Sequence, residues 1–145
     1  MIAELDTETG RLSWVNAGHP APLLVRDGRL VKRLQVDPGF PFGMGVADLA
    51  PGAGGYQVGS EQLQPGDRLV AFTDGVTEAP SPDGEPFGEA HLADLLSRNL
   101  AGGLPAPETM RRVVRALLEH QDGRLTDDAT LLLLEWRSSP EELLP

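Results

Sequence analysis

Two apolar runs with acidic ends constrain this chain more than anything else in it. "RLVAFT", Arg68 to Thr73, is almost continuously apolar and stops on Asp74, whereas "ATLLLLEW", Ala129 to Trp136, is opened by the pair Asp127 and Asp128. A short run without alternation suits a strand covered on both faces. If these two strands were neighbours in one sheet, their carboxylates would meet at its rim, an arrangement that a proton or a cation has to make tolerable. Gly75 would let the backbone turn away, so that the Asp74 carboxylate points beyond the sheet edge.

The rest of the chain supplies the partners such strands need. Ile2 to Leu5, "DTETG" and "RLSWVNA" read as two strands joined by a tight turn in which Gly10 takes the left-handed conformation. "PLLVRDGRLVKRL", Pro22 to Leu34, reads as a second hairpin turning at Asp27 and Gly28. Gln35 to Gly55 is rich in Gly and Pro and lacks periodicity, which predicts a long functional loop; strand character returns at "YQVGSEQL". Between the two apolar runs lie two helical patterns. "GEAHLADLLSRNLAGG" sets Leu92, Leu95, Leu96 and Leu100 on one face and stops at Gly102 and Gly103. "APETMRRVVRALLEHQ" does the same with Met110, Val113, Val114, Leu117 and Leu118, and turns Arg111, Arg112 and Arg115 to water. Strands, then two helices, then a strand predict an α+β fold with helices layered on antiparallel sheet. "RSSPEELLP" reads as a loose tail.

Composition narrows the chemistry. A chain of 145 residues and 15.5 kDa fits one domain, and 40% hydrophobic residues with a mean hydropathy of -0.20 are ordinary for a globular protein. No apolar run is long enough to cross a bilayer, and the N-terminus lacks the basic flank and apolar centre of a signal peptide, so the reading is cytoplasmic with no membrane partner. Without cysteine there is no disulfide or thiolate metal site, which leaves oxygen ligands and three histidines. With 22 acidic against 12 basic residues, a net charge of -10 disfavours nucleic acid, since nothing would release counterions from its phosphates.

Asp-Gly occurs at Asp27, Asp74, Asp83 and Asp122, so the dipeptide alone signals only a turn, and Asp127 alone reads as an Asx-type loop residue. A cysteine-free acidic rim does match the preference of magnesium and manganese for carboxylate and water. From pattern alone the turn reading stands ahead of the metal reading.

Three stretches in order shift that weighting. "VNAGHPAPLLVRDG" (Val15–Gly28), "LQPGDRLVAFTDGVTEAPSPDGEPFG" (Leu63–Gly88) and "LTDDATLLLLEWR" (Leu125–Arg137) resemble the successive signature blocks of the SpoIIE/RsbU branch of the metal-dependent PPM (protein phosphatase 2C-like) serine/threonine phosphatases, with two helices where that family has them. The resemblance implies an α-β-β-α sandwich of antiparallel sheets flanked by helices, with a dinuclear Mn2+ or Mg2+ centre at one edge. In such a centre two cations activate water for in-line attack on phosphorus, and no covalent phosphoenzyme is needed. By motif match Asp74 and Asp127 take the positions of metal-ligating aspartates, Gly75 is the backbone companion of Asp74, and Asp128 supports the loop. Asn16 and His19, in "NAGHP", fit a structural or second-layer role better than that of a general acid. Glu78 and Glu85 read as solvated loop charges, His91 and His120 as surface residues on the two helices, and Trp14 and Trp136 as core.

The same resemblance implies function and a gap. The activity expected is hydrolysis of phosphoserine or phosphothreonine on a protein, in relatives often a small phosphorylated anti-anti-sigma (STAS) factor of a bacterial partner-switching stress or sporulation circuit. An intact domain of this type carries, upstream, an aspartate before a glycine-rich turn that bridges both metals, and nothing here matches it. Residues 1–137 therefore read as the C-terminal portion of a PPM-type domain lacking its N-terminal strands, and 138–145 as the tail. The alternative from another class is a catalytically inactive, phosphatase-like binding or regulatory module. A half-sheet with a free edge also predicts self-association.

Overall fold

The computed structural model describes residues 1–43, 55–125 and 127–137. The chain forms β1 (Ile2–Leu5), β2 (Arg11–Val15), β3 (Leu23–Arg26), β4 (Arg29–Arg33), β5 (Gly59–Gln62), β6 (Arg68–Phe72), α1 (Asp74–Thr77), α2 (Glu89–Ala101), α3 (Ala106–His120) and β7 (Leu131–Glu135). The strands make two antiparallel sheets, one ordered β1-β2-β5 and the other β4-β3-β6-β7. Both expected hairpins form. Gly10 at φ 74° closes the first, and Asp27 (φ 49°) with Gly28 (φ 71°) closes the second, the doubly left-handed turn that matches strand twist. The expected strand at "YQVGSEQL" is shorter than its pattern: it holds only over Gly59–Gln62, where Gly59 pairs with Trp14 and lies too close under that indole for a Cβ. Residues 44–54 of the expected long loop and 138–145 of the expected tail lie outside the described residues.

Alternation along each strand splits the interior into two layers. Leu12 and Trp14 from one sheet meet Leu24 and Leu69 from the other, with Leu34, Leu63 and half-buried Trp136 closing the gap. On the opposite face of the larger sheet, Leu23, Val25, Val70 and Phe72 pack against Leu92, Leu96 and Leu100 of α2 and Val113 and Leu117 of α3. Trp14 is core, as its sequence context suggested, and Trp136 packs half-buried against that core. Full burial of each such side chain favours folding by roughly 2 kcal/mol relative to exposure. At the base of the sandwich Asp67, 1% exposed, accepts Nε and Nη2 of Arg26 at 2.7 and 2.6 Å and the backbone N–H of Gln64 at 2.8 Å. That hydrogen bonding with Asp67 raises the Arg26 pKa above its ordinary value.

The layers stop one short of a symmetrical sandwich. Among the described residues, helices cover only the outer face of the larger sheet; the outer face of the smaller one carries Ile2, Glu4, Arg11 and Gln62 exposed. Among the described residues the edge strands are β1 and β5 of the smaller sheet and β4 and β7 of the larger one. Lys32 of β4 pairs with Glu61 of β5, and Gly10 at the end of the β1–β2 turn packs under Trp136 just beyond β7, so β4 and β5 share one side of the sandwich and β1 and β7 the other.

Candidate functional site

β6 and β7 are antiparallel neighbours in the register Phe72 opposite Leu131, so the end of one and the beginning of the other share a rim. Continuing that register sets Asp74 beside the segment from Asp127 to Ala129. Two hydrogen bonds clasp the junction beyond the last ladder pair: the Thr73 N–H donates to the Thr130 carbonyl at 3.0 Å, and the Thr130 N–H donates to Thr73 Oγ1 at 2.9 Å. The two acidic strand ends expected to meet therefore do meet.

Gly75 explains how closely. It is the second residue of the four-residue helix α1, buried, at the point where the chain leaves β6, and its φ is not positive. A Cβ built there would overlap the backbone carbonyl of Asp128. Glycine is required because another backbone passes across that Cα.

The carboxylates are held at one oxygen each. Asp74 Oδ1 accepts the Gly75 N–H at 2.9 Å, and Asp127 Oδ1 accepts the Asp128 N–H at 2.7 Å, which fixes both side chains against their own loops. Both residues, with Asp128, are exposed, and neither Oδ2 atom has a hydrogen-bond partner within the described protein. The donor class fits a hard cation. The number of donors does not complete a site: among the described residues no group of three or more His, Cys, Asp or Glu side chains is placed to hold a metal ion.

Asn16 and His19 make a separate turn. Asn16 Oδ1 accepts the His19 N–H at 2.8 Å, Asn16 Nδ2 donates to the His19 carbonyl at 2.7 Å, and His19 Nδ1 lies 2.8 Å from the Pro20 carbonyl, which can only accept. This turn leads into Leu23, which pairs with Val70, so it stands on the same end of the larger sheet as Asp74. Its side-chain bonds remain within residues 16–20, the geometry of a scaffold for that end of the sandwich.

A feature absent from the expectations lies directly after α1. Residues 79–87 form a small hairpin: the Phe87 N–H donates to the Ala79 carbonyl and the Ser81 N–H to the Glu85 carbonyl, both at 2.8 Å, and Pro80 faces Pro86 across a single bridge. Its base is fastened to α1 by the Gly88 N–H donating to the Thr77 carbonyl at 2.8 Å. Glu78 is exposed, as expected, and so is the Glu85 side chain, but the backbone carbonyl of Glu85 is bound by His120. His91 is a surface residue as expected; His120 is half-buried. The signal available in sequence was "PDG" flanked by two further prolines, a turn between rigid arms.

Comparison with known proteins bears on the family and the fold. Residues 1–137 match the model of the family described as Stage II sporulation protein E (SpoIIE). The phosphoserine phosphatase RsbU of Bacillus subtilis is 33% identical over 79 residues, 54% of this chain. The solved RsbU and RsbW domains of Rv1364c from Mycobacterium tuberculosis superpose with a TM-score of 0.72 at 32% identity, over 94% of this chain and 36% of that one. The manganese-soaked phosphatase domain of SpoIIE from Bacillus subtilis superposes with a TM-score of 0.65 at 20% identity, over 95% of this chain and 56% of that one, a likeness of fold. The chain spans 19% and 23% of the length of the first two curated relatives it matches.

Proposed function

Because the chain belongs to the SpoIIE family of PP2C-like phosphatases, we propose that it carries one side of the catalytic centre of a metal-dependent phosphoserine/phosphothreonine protein phosphatase. The carrying observation is the clasped junction of β6 and β7, which holds Asp74 and Asp127, both exposed, on one rim. In this reading those two aspartates hold Mn2+ or Mg2+, and Asp128 and Gly75 set the spacing between their loops. Bound cations of this kind supply charge neutralisation at a phosphoryl group and lower the pKa of water. What the chain's own residues do is to keep two anionic ligands rigid and exposed at fixed separation, so that little ordering remains to be done when a cation and a phosphate arrive.

In this reading a third acid comes from outside the described residues: from elsewhere in this chain, from a segment upstream of Met1, or from a partner chain. The sandwich leaves space for it. Ala3 of β1 and Leu132 of β7 point between the sheets yet are exposed, Leu132 at 60%, and both lie toward the end that carries Asp127. Strands filling that corner would arrive beside the two aspartates. The substrate proposed is a phosphorylated STAS-type anti-anti-sigma protein in a partner-switching pathway. Its support is the family itself and the pairing of RsbU and RsbW domains in the Rv1364c structure.

The absence of a three-donor group among the described residues favours one second reading, a phosphatase-like module that binds without catalysing. Manganese-dependent hydrolysis of a small aryl phosphate separates the two. The chain is expected to be silent alone and active once joined to the upstream half of its domain, and Asp74→Asn is expected to abolish that activity. Continued silence of the joined form would establish the binding module. Activity of the chain alone, lost on Asp74→Asn, would show that no upstream acid is needed.

A further inference from the structure

The returning arm of the hairpin of residues 79–87 is anchored by two different means. That arm ends on Phe87, 3% exposed and part of the core shared with α2 and α3. The Phe87 ring is stacked by His91 of α2, with centroids 4.4 Å apart and planes at 27°, and meets the edge of His120 at 5.3 Å and 81°. His120 does more than pack. Its Nε2 lies 2.9 Å from the Glu85 carbonyl, and because a carbonyl only accepts, that nitrogen carries the proton. His120 is the last residue of α3, where an imidazole ordinarily serves its own helix's free carbonyls. Here it reaches 35 residues back in the chain to the hairpin.

The remaining bonds of the hairpin are local. Glu85 N–H donates to Ser81 Oγ at 3.1 Å and Gly84 N–H to the Ser81 carbonyl at 2.9 Å, so they fix the turn's shape but not its position. The His120 bond ties the turn to another element by a side chain. The base of the same hairpin is fastened to α1, one helical turn from Asp74.

We propose that His120 is a positioning residue: its Nε2–H latches the hairpin at Glu85 to the end of α3, and thereby fixes the wall that a protein-borne phosphate passes on its way to Asp74. The latch itself stands on geometry alone; its consequence for substrate selection rests on the phosphatase reading. A small aryl phosphate would not touch this wall, so the latch separates affinity for a protein substrate from the chemical step.

Amide hydrogen exchange in the chain tests the latch without any assay of activity. In His120→Ala the Ser81, Gly84 and Glu85 amides should exchange roughly fivefold faster, the effect of one lost hydrogen bond, while Leu96 in α2 keeps its rate. His120→Gln, whose amide can donate to the same carbonyl, should restore protection; His120→Phe, which keeps the edge contact with Phe87 but has no donor, should not. Should the alanine variant fail to fold, the Gln and Phe variants decide between themselves. Equal protection in those two, or unchanged exchange in His120→Ala, would overturn the latch. In an active, completed domain, His120→Ala should raise KM for a phosphoprotein several-fold and leave kcat on an aryl phosphate as it was. A phosphatase in which both substrates respond alike would overturn the role in selection, whereas a domain inert to both would refute the phosphatase reading and leave the exchange result standing.

Discussion

Gly75 holds more of the site together than either aspartate does. Its Cα lies against the Asp128 carbonyl, and this contact sets how near the β6 end can come to the loop before β7. A methyl group at that position would have to push one of two backbones away, and neither is the free end of a flexible side chain. Overpacking of this sort costs about 1–3 kcal/mol. Gly75→Ala is therefore expected to lower the stability of the chain to denaturant by that order, with the altered chemical shifts concentrated at Thr73–Val76 and Asp127–Thr130. An alanine variant as stable as the parent and with unshifted Thr73 and Thr130 amides would show that the contact does not constrain the site. The sequence displayed this glycine plainly as a point where the backbone turns, but not the second reason for it: close approach by the loop before β7, far along the chain, leaves no local trace.

At the scale of elements, what could be read in the sequence was what local chemistry decides. Both hairpins follow from residues that tolerate positive φ, and α2 and α3 follow from apolar spacing that the core bears out at Leu92, Leu95, Leu96, Leu100, Val113 and Leu117, whereas Met110 and Leu118 are half-buried outside that core and Val114 is 46% exposed. The adjacency of β6 and β7 was legible only as a condition: two buried runs with acidic ends make sense together if they pair. Three things were not legible. α1 is four residues long, "DGVT", with a glycine in it and no helical propensity to announce it; it exists because the chain leaving Thr73 is clasped to Thr130 and must pass over the rim. The hairpin of residues 79–87 is held by Phe87 in the core and by His120 from another helix, both tertiary contacts. β5 keeps only half of its apparent length, since pairing with β2 requires Gly59 beneath Trp14 and ends there. His120, assigned to the surface by its place on a polar helix end, is the clearest case of a residue whose partner lies too far along the chain to be guessed.

At the scale of the whole molecule, the described residues leave one side of the sandwich open. The free edges of β1 and β7 lie together, and the edge residue Leu132 is 60% exposed although it points between the sheets. Beside them an apolar cavity of about 350 Å3 runs between α3 and the start of β7, lined by Met110, Val114, Leu118, Leu125 and Leu131 among others. Exposed apolar edge strands pair with whatever can reach them. The chain alone is accordingly expected to self-associate in sedimentation and to become monodisperse when joined to strands that occupy this side; a monodisperse monomer of the chain alone would contradict this. The same open corner is where a third acid would approach Asp74 and Asp127, so completion of the fold and completion of the metal centre would be one event. The most direct test is a Mn2+ titration followed by electron paramagnetic resonance, on the completed domain and on its Asp74→Asn and Asp127→Asn variants. Two aspartates that ligate the metal predict that each substitution weakens binding at least tenfold, the effect of losing a charged ligand worth more than about 1.4 kcal/mol. Mn2+ binding of undiminished affinity in both variants would place the metal elsewhere and contradict the assignment of this rim as the catalytic centre.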